Sequence, residues 1–166
     1  MCFFWLSFMT HLFTGASDHG LDDKGRLTLP SRILESLAQK DWRFFLTVSM
    51  DACLLLHDVR SWEALVQRIG AGVHGTPAHR NLARRFLGSA EEVTPDAARR
   101  IRIPDPLLEY AGLSPSQPVR LLGMGNVCEI WAPSALGQVL KRPDPEEEQL
   151  FSSLIDPRTP STPTGA

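Results

Sequence analysis

The feature that most constrains this chain is an internal duplication at a fixed offset of 74 residues. The stretch Leu21-Asp22-Asp23-Lys24-Gly25-Arg26-Leu27-Thr28-Leu29-Pro30 returns as Pro95-Asp96-Ala97-Ala98-Arg99-Arg100-Ile101-Arg102-Ile103-Pro104. Asp22 falls on Asp96, Arg26 on Arg100 and Pro30 on Pro104. Between arginine and proline both copies alternate apolar, polar, apolar, the period of a half-buried strand. Behind the proline, Ile33-Leu34-Glu35 matches Leu107-Leu108-Glu109, a short apolar helical turn. The same offset carries Met50 onto Met124, Leu56 onto Ile130 and His57 onto Trp131 without a gap. The fold is therefore read as two copies of one small β-rich module.

Each module reads strand, Asp-x-x-x-Arg turn, strand, proline, helical turn, hairpin, helix. In copy one the opening strand is expected at Leu12–Ser17 and the hairpin at Phe44–Val48 and Cys53–Leu56, with a helix from Ser61 onward. In copy two the strands are expected near Ser89–Val93, Val119–Leu122 and Val127–Trp131. The second hairpin turn, Gly123-Met124-Gly125-Asn126, is rich in residues that accept positive φ. Pro133 suits the first position of a closing helix that runs to Leu140. Between the copies, a Gly-rich loop over 70–76 precedes a helix with Thr76 as N-cap and Pro77 at its first position, running to Leu87. The organisation is an N-terminal extension over 1–11, module one over 12–60, linking helices over 61–88, module two with its C-terminal helix over 89–141, and a tail over 142–166. That tail is acidic, then Ser/Thr/Pro-rich; its acidic run is expected to cap a short helix and 154–166 to be disordered.

A hydrophobic fraction of 43% in 166 residues is enough for a folded core. A formal net charge of −2 excludes a uniformly basic nucleic-acid coat but not a local basic site. From Arg80 to Arg102 six arginines stand against three acidic residues, and the rest of the chain is neutral or acidic. Cys2, Cys53 and Cys128 are odd in number and widely spaced, so they form neither a disulfide framework nor a zinc knuckle. Cys53 and Cys128 sit in apolar runs and read as buried reduced thiols, which fits a reducing compartment. Met1 to Met9 is apolar and aromatic, lacks a basic flank and is too short to span a bilayer. Three readings of it stand: a start codon chosen upstream of Met9, a disordered tail, or a sticky extra turn; the first is favoured. No other apolar run is long enough to be transmembrane. Nucleophile–base order, metal-ligand spacing and a phosphate-cradling glycine loop are all lacking, so no catalytic residue, metal, cofactor or small-molecule substrate is expected. His11, His19, His57, His74 and His79 are scattered and read as surface or loop residues, with His57 stacking near its strand partners.

The Asp-x-x-x-Arg loops are the candidate working surface. Asp22 opens a turn in which its carboxylate can accept backbone N–H groups, and Gly25 supplies a left-handed position. Arg26 then enters the strand with a guanidinium available to Asp22 or to an external anion, on the same face as Lys24 if the strand has begun. Arg100 and Arg102 repeat the arrangement, with Arg99 beside them. A purely stabilising turn salt bridge explains these residues as well as binding does. Charge placement favours binding, because arginine suits phosphates and guanine edges, and a two-stranded β element can enter the major groove.

The chain resembles the MraZ family over about Phe13 to Leu140. The resemblance rests on Phe13-x-Gly15, Leu21-Asp22-x-Lys24-Gly25-Arg26-Leu27-x-x-Pro30, Cys53-Leu54-Leu55-Leu56, Arg84-Arg85-Phe86-Leu87-Gly88, Tyr110-Ala111-Gly112-Leu113 and Trp131, in that order. It implies two tandem SpoVT-AbrB domains, mainly β with short helices, forming an intrachain pseudo-dimer of swapped-hairpin β-barrel modules. It further implies a ring-shaped homo-oligomer and a bacterial regulator, cytoplasmic and nucleoid-associated, with no membrane partner. Such a regulator acts on the division and cell-wall gene cluster by binding repeated elements in double-stranded promoter DNA. Carried across, Arg26 and Arg100 contact DNA with support from Lys24, joined here by Arg99 and Arg102, while Asp22, Gly25 and Asp96 shape the loops. One departure stands out: the family's second loop commonly keeps glycine where this chain has Arg99, which implies a strained or different turn. A ring-forming structural protein and an AbrB-like antitoxin are the alternatives. The tail's lack of an obvious amphipathic pattern argues against the latter.

Overall fold

The computed structural model describes residues 13–35, 42–72, 74–141 and 143–155. Its contacts divide the chain into two units, Met1–Ala135 and Leu136–Ala166. In the first unit copy one supplies β1 (Phe13–Gly20), β2 (Arg26–Thr28), α1 (Ser31–Glu35), β3 (Phe44–Val48), β4 (Leu54–Asp58) and α2 (Val59–Gly70). A connecting helix α3 (Pro77–Phe86) follows, and copy two supplies β5 (Glu91–Val93), β6 (Arg100–Arg102), α4 (Asp105–Tyr110), β7 (Pro118–Gly125) and β8 (Cys128–Trp131). Helix α5 (Pro133–Val139) runs across the boundary, and α6 (Pro145–Ile155) lies in the second unit. The module pattern predicted from the repeat is present twice.

The copies are built through one another. Six strands form an antiparallel sheet in the order β1-β7-β8-β4-β3-β5, and β2 pairs with β6 in a separate ribbon. The order is a palindrome under the 74-residue offset: β1 answers β5, β7 answers β3, and β8 answers β4. The opening strand of copy one thus pairs with the hairpin of copy two, from Phe13↔Gly125 to Gly20↔Pro118. That of copy two pairs with the hairpin of copy one, from Phe44↔Val93 to Leu46↔Glu91. Leu55↔Glu129 between β4 and β8, and Leu27↔Ile101 between β2 and β6, are each a residue facing its own repeat equivalent. Both mark the pseudo-twofold axis. Closure into a barrel, expected from the resemblance, is not found: β1 and β5 are the two edges of the sheet.

The core follows from strand alternation. Leu27, Leu29, Ile101 and Ile103 of the ribbon region are fully buried with Leu46, Leu54, Leu56, Val119, Leu121 and Ile130 of the sheet. Helices α1 and α4 add Ile33, Leu34, Leu107 and Leu108. At about 1.5–3 kcal/mol per buried aliphatic side chain, this face dominates the stability of the first unit. Polar ties set the periphery: Tyr110 Oη donates to the Ser49 carbonyl at 2.5 Å and Thr47 Oγ1 to the Phe86 carbonyl at 2.6 Å. Cys53 and Cys128 are free thiols and buried, as expected, and burial pushes each up to about 12.

Several boundaries differ from expectation. β1 runs on to Gly20, paired along its whole length with the eight-residue β7, whereas β5 is three residues long and pairs only Phe44 to Leu46 of β3. Cys53 closes the hairpin turn and β4 runs instead through His57 to Asp58, whose carboxylate then caps α2 by accepting from Ser61 N. Thr76 caps α3 and Pro77 starts it, as predicted. His57 is a correction: it is buried at 5% exposure, and its ring neighbour is Trp62 of α2 at 6.0 Å, not a strand residue. His19 is half-buried in β1, while His11 lies outside the described residues. In the second unit, Leu154 and Ile155 are helical, so the expected disorder does not begin at 154; residues 156–166 lie outside the described residues. α6 leaves Leu150, Phe151, Leu154 and Ile155 exposed behind an acidic first turn. Among the described residues no helix is long and apolar enough to cross a membrane.

At Gly123 the backbones of the two copies run side by side. A Cβ there would sit 2.5 Å from Phe13 C and from Thr14 N, against backbone that cannot swing away. Gly123→Ala is expected to destabilise the fold by about 1–3 kcal/mol in chemical denaturation. Gly137→Ala, in open space on α5, should be neutral or stabilising.

His57 generates a second expectation. Its Nδ1 lies 3.1 Å from Ser61 Oγ, its Nε2 is buried without a partner among the described residues, and burial pushes the imidazole down to about 4. The folded state therefore binds the proton less well than the unfolded chain, whose imidazole titrates near 6.5. The stability tied to neutral His57 is complete above about pH 6.5 and is lost between there and about pH 4, at ~1.4 kcal/mol per pH unit. Denaturation curves of His57→Phe should lack that component relative to the parent chain.

Candidate nucleic-acid interface

The two loops have the same architecture. In loop one, Asp22 Oδ1 accepts the backbone N–H groups of Lys24 and Arg26, both at 2.9 Å, and Oδ2 accepts Arg26 Nε at 2.6 Å. In loop two, Asp96 Oδ1 accepts Ala98 N and Arg100 N, both at 2.9 Å, and Oδ2 accepts Arg100 Nε at 2.9 Å. Asp22 N donates to the Arg26 carbonyl and Asp96 N to the Arg100 carbonyl, closing each turn at its base. The aspartates thus shape the loops and hold the arginines as well.

The departure at Arg99 is resolved by geometry. Gly25 has φ 68°, and Arg99, its repeat equivalent, has φ 61°. The turn is unchanged, and a non-glycine residue accepts the left-handed conformation at a cost of about 1–2 kcal/mol. Conservation of the turn has a reason in the ribbon: Ile103 N donates to the Gly25 carbonyl and Leu29 N to the Arg99 carbonyl. Each loop therefore binds the strand end of the other copy. Arg99 also reaches across to copy one, where its Nη1 donates to Ser31 Oγ at 2.5 Å.

The ribbon brings most of the expected cations together. Arg26 faces Arg102 and Thr28 faces Arg100 across it. Leu27 and Ile101 point inward between them, so the three arginines share the outer face. Arg99 and Lys24 are exposed in the adjoining loops; Lys24 lies in the turn, because β2 begins only at Arg26. Arg102 lies 3.6 Å from Asp105 in a pair so exposed that it restrains little. Arg80, Arg84 and Arg85, counted with these residues in sequence, sit apart on α3, which packs against α2 and β3. Ser31 and Asp105 escaped the sequence reading, since a serine after proline and an aspartate at a helix start carry no signal for an arginine partner.

Charge on this face is set by the carboxylates. Burial would raise the Asp22 carboxyl, but the Arg26 backbone N–H, the Arg26 side chain and the Lys24 N–H together hold it below its ordinary range. Asp96 is lowered chiefly by the Arg100 side chain and backbone. Among the described residues no cluster of His, Cys, Asp and Glu could hold a metal ion.

The sequence matches the family model described as "MraZ protein, putative antitoxin-like" over residues 12–84 and 86–149. The chain belongs to the MraZ family. A protein of Thioalkalivibrio sulfidiphilus named transcriptional regulator MraZ is 36% identical over 121 residues, covering 72% of this chain and 79% of that protein. Its namesake in Shewanella oneidensis is 37% identical over 122 residues, with the same coverage of each. That of Thermomicrobium roseum is 32% identical over 147 residues, 87% of this chain and all of the relative. The two matched segments of the family model follow the two copies.

The depressed carboxyls have a measurable consequence. A carboxyl held below its unfolded value contributes stability that is complete above about pH 4 and is lost as pH falls through the folded value. Asp22→Asn and Asp96→Asn should each lower Tm at pH 7, and the gap to the parent chain should close as pH is taken below about 4.

Proposed function

We propose that this protein is a sequence-specific, double-stranded-DNA-binding regulator of transcription whose DNA surface is the β2–β6 ribbon with its two loops. The contacting residues in this reading are Lys24, Arg26, Arg99, Arg100 and Arg102, with Asp22, Gly25 and Asp96 shaping the loops. The observation that carries the reading is the opposition of Arg26 to Arg102 on the outer face of the ribbon, beside Arg100. Like charges facing each other across a strand pair cost stability, of order 0.2–1 kcal/mol. The buried aliphatic side chains behind them outweigh that cost. An anion across the outer face would remove it.

A two-stranded ribbon fits the major groove, where strands about 4.8 Å apart enter a channel about 12 Å wide. Affinity then comes mainly from phosphate neutralisation and sequence reading from arginine at guanine edges. The family resemblance supplies the rest of the reading: swapped-hairpin modules, a ring-shaped homo-oligomer, and repeated promoter elements of the division and cell-wall gene cluster. A ring that repeats one basic face reconciles strong DNA binding with a net charge of −2, because linked weak contacts multiply when their spacing matches the DNA.

A gel-shift titration on DNA upstream of the protein's own gene tests the proposal. Arg26→Ala should abolish specific binding while leaving oligomer size unchanged and reducing the salt slope of residual binding by about one. Retained binding with an unchanged slope removes Arg26 from the interface. Failure of the parent chain to prefer this DNA over scrambled DNA refutes the reading itself.

A further inference from the structure

The two hairpins are covered differently near their turns. In the first, Val48 pairs with Leu54, and at the equivalent place in the second, Gly123 pairs with Cys128. Helix α4 packs against β3 of the first hairpin, and Tyr110 at its end donates to the Ser49 carbonyl at 2.5 Å. Helix α1 takes that position at the second hairpin, and the 74-residue offset puts Ser36 where copy two has Tyr110. Ser36 itself lies outside the described residues. Valine, leucine and tyrosine at one hairpin thus answer to glycine, cysteine and serine at the other. Glycine is needed at 123, where the β1 backbone takes the room of a Cβ. The other two changes simply remove volume.

A cavity of about 160 Å³ lies there, lined by Phe13, Thr14, Arg32, Ile33, Gly123 and Cys128. Phe13, Ile33 and Cys128 are buried and make its inner wall, while Thr14 and Arg32 are exposed and make its rim. Packed interiors hold few voids larger than a water molecule, and an apolar void of about 150 Å³ admits a benzene ring. The rim adds a charge. Arg32 Nη2 donates to Ser17 Oγ at 2.8 Å, and among the described residues no carboxylate pairs with this guanidinium.

We propose that this cavity binds a monocyclic aromatic carboxylate, with the ring against Phe13, Ile33 and Cys128 and the carboxylate on Arg32. The ring takes the kind of place that Tyr110 fills at the other hairpin. An aromatic face also suits the polarizable sulfur of Cys128. Burial keeps that thiol protonated, so the inner wall sets no negative charge against the ligand. A guanidinium has five N–H donors, of which Ser17 uses one, and two parallel bonds to a carboxylate remain open to it. An aliphatic anion would gain the arginine alone, and an uncharged ring the void alone. The site does not depend on the DNA-binding reading above.

Benzoate titrated into the full chain tests the site, read by calorimetry and by Tm. It should bind saturably with a Kd of about 1 mM or below and raise Tm, whereas acetate, which has the charge and no ring, should bind at least about tenfold more weakly. In the parent chain, nuclear Overhauser effects should connect the benzoate ring protons to the Ile33 methyl groups. Cys128→Leu installs the residue of the other hairpin and fills the void, so it should abolish benzoate binding. Arg32→Gln should weaken benzoate about tenfold or more and leave toluene, which needs only the void, within about threefold. No saturable benzoate binding up to about 10 mM overturns the site, as do equal affinity for acetate and the absence of contact with Ile33. Undiminished binding by a Cys128→Leu chain of parental Tm overturns it too; if that Tm is lowered, the Overhauser contact decides. Undiminished binding by Arg32→Gln overturns the seat of the carboxylate on Arg32.

Discussion

The pairing of β2 with β6 is the constraint on which the rest depends. Three residues from each copy, centred on Leu27 and Ile101, fix the axis that relates the halves. Once those strands are in register, loop one must emerge beside the end of β6 and loop two beside the end of β2. The carbonyls of Gly25 and Arg99 then find their donors in the opposite copy. The inward face of the ribbon is aliphatic and fully buried, while its outer face carries like charges. The arithmetic of burial against repulsion favours the first by several kcal/mol, and this is why a face of arginines can be held open at all.

The repeat made the local elements legible. Strict spacing placed Asp22 with Asp96, Arg26 with Arg100 and the hairpins with each other; the structure keeps the loops residue by residue, whereas the second hairpin is shifted by one, pairing Arg120 with Trp131 where the first pairs Phe45 with His57. Cap chemistry gave α3 its start at Thr76 and Pro77. Which strand pairs with which was not legible. Alternation says that a strand has one buried face, but it is silent about whether β1 adds to its own hairpin or to the other copy's. Burial of His57 was hidden for a related reason: an imidazole in a strand is ordinary at a surface, and only the approach of Trp62 from α2 encloses it.

At the candidate site, the residue types were visible and their engagement was not. The sequence suggested that a guanidinium was available to an aspartate or to an anion, and in both loops the structure engages it with the aspartate. In each loop the arginine Nε donates to its own aspartate, and Arg100 Nη1 also lies 3.8 Å from Asp22 Oδ2. The replacement of glycine by Arg99 looked like a reason for a different turn. It is a strained version of the same turn, stabilised by carbonyl and side-chain bonds into copy one.

The cross-copy pairing of β1 with β7 and of β5 with β3 gives the covalent join between the copies an unusual status. A half made alone would leave its hairpin and its opening strand without partners, two raw sheet edges in search of each other. Two identical halves could satisfy them by doubling, with a true twofold in place of the approximate one. The peptide between α2 and α3 is then a tether that keeps unlike halves at high local concentration. It is what allows the two to differ, since a chain obliged to pair with its own copy could never have placed arginine in one loop and glycine in the other.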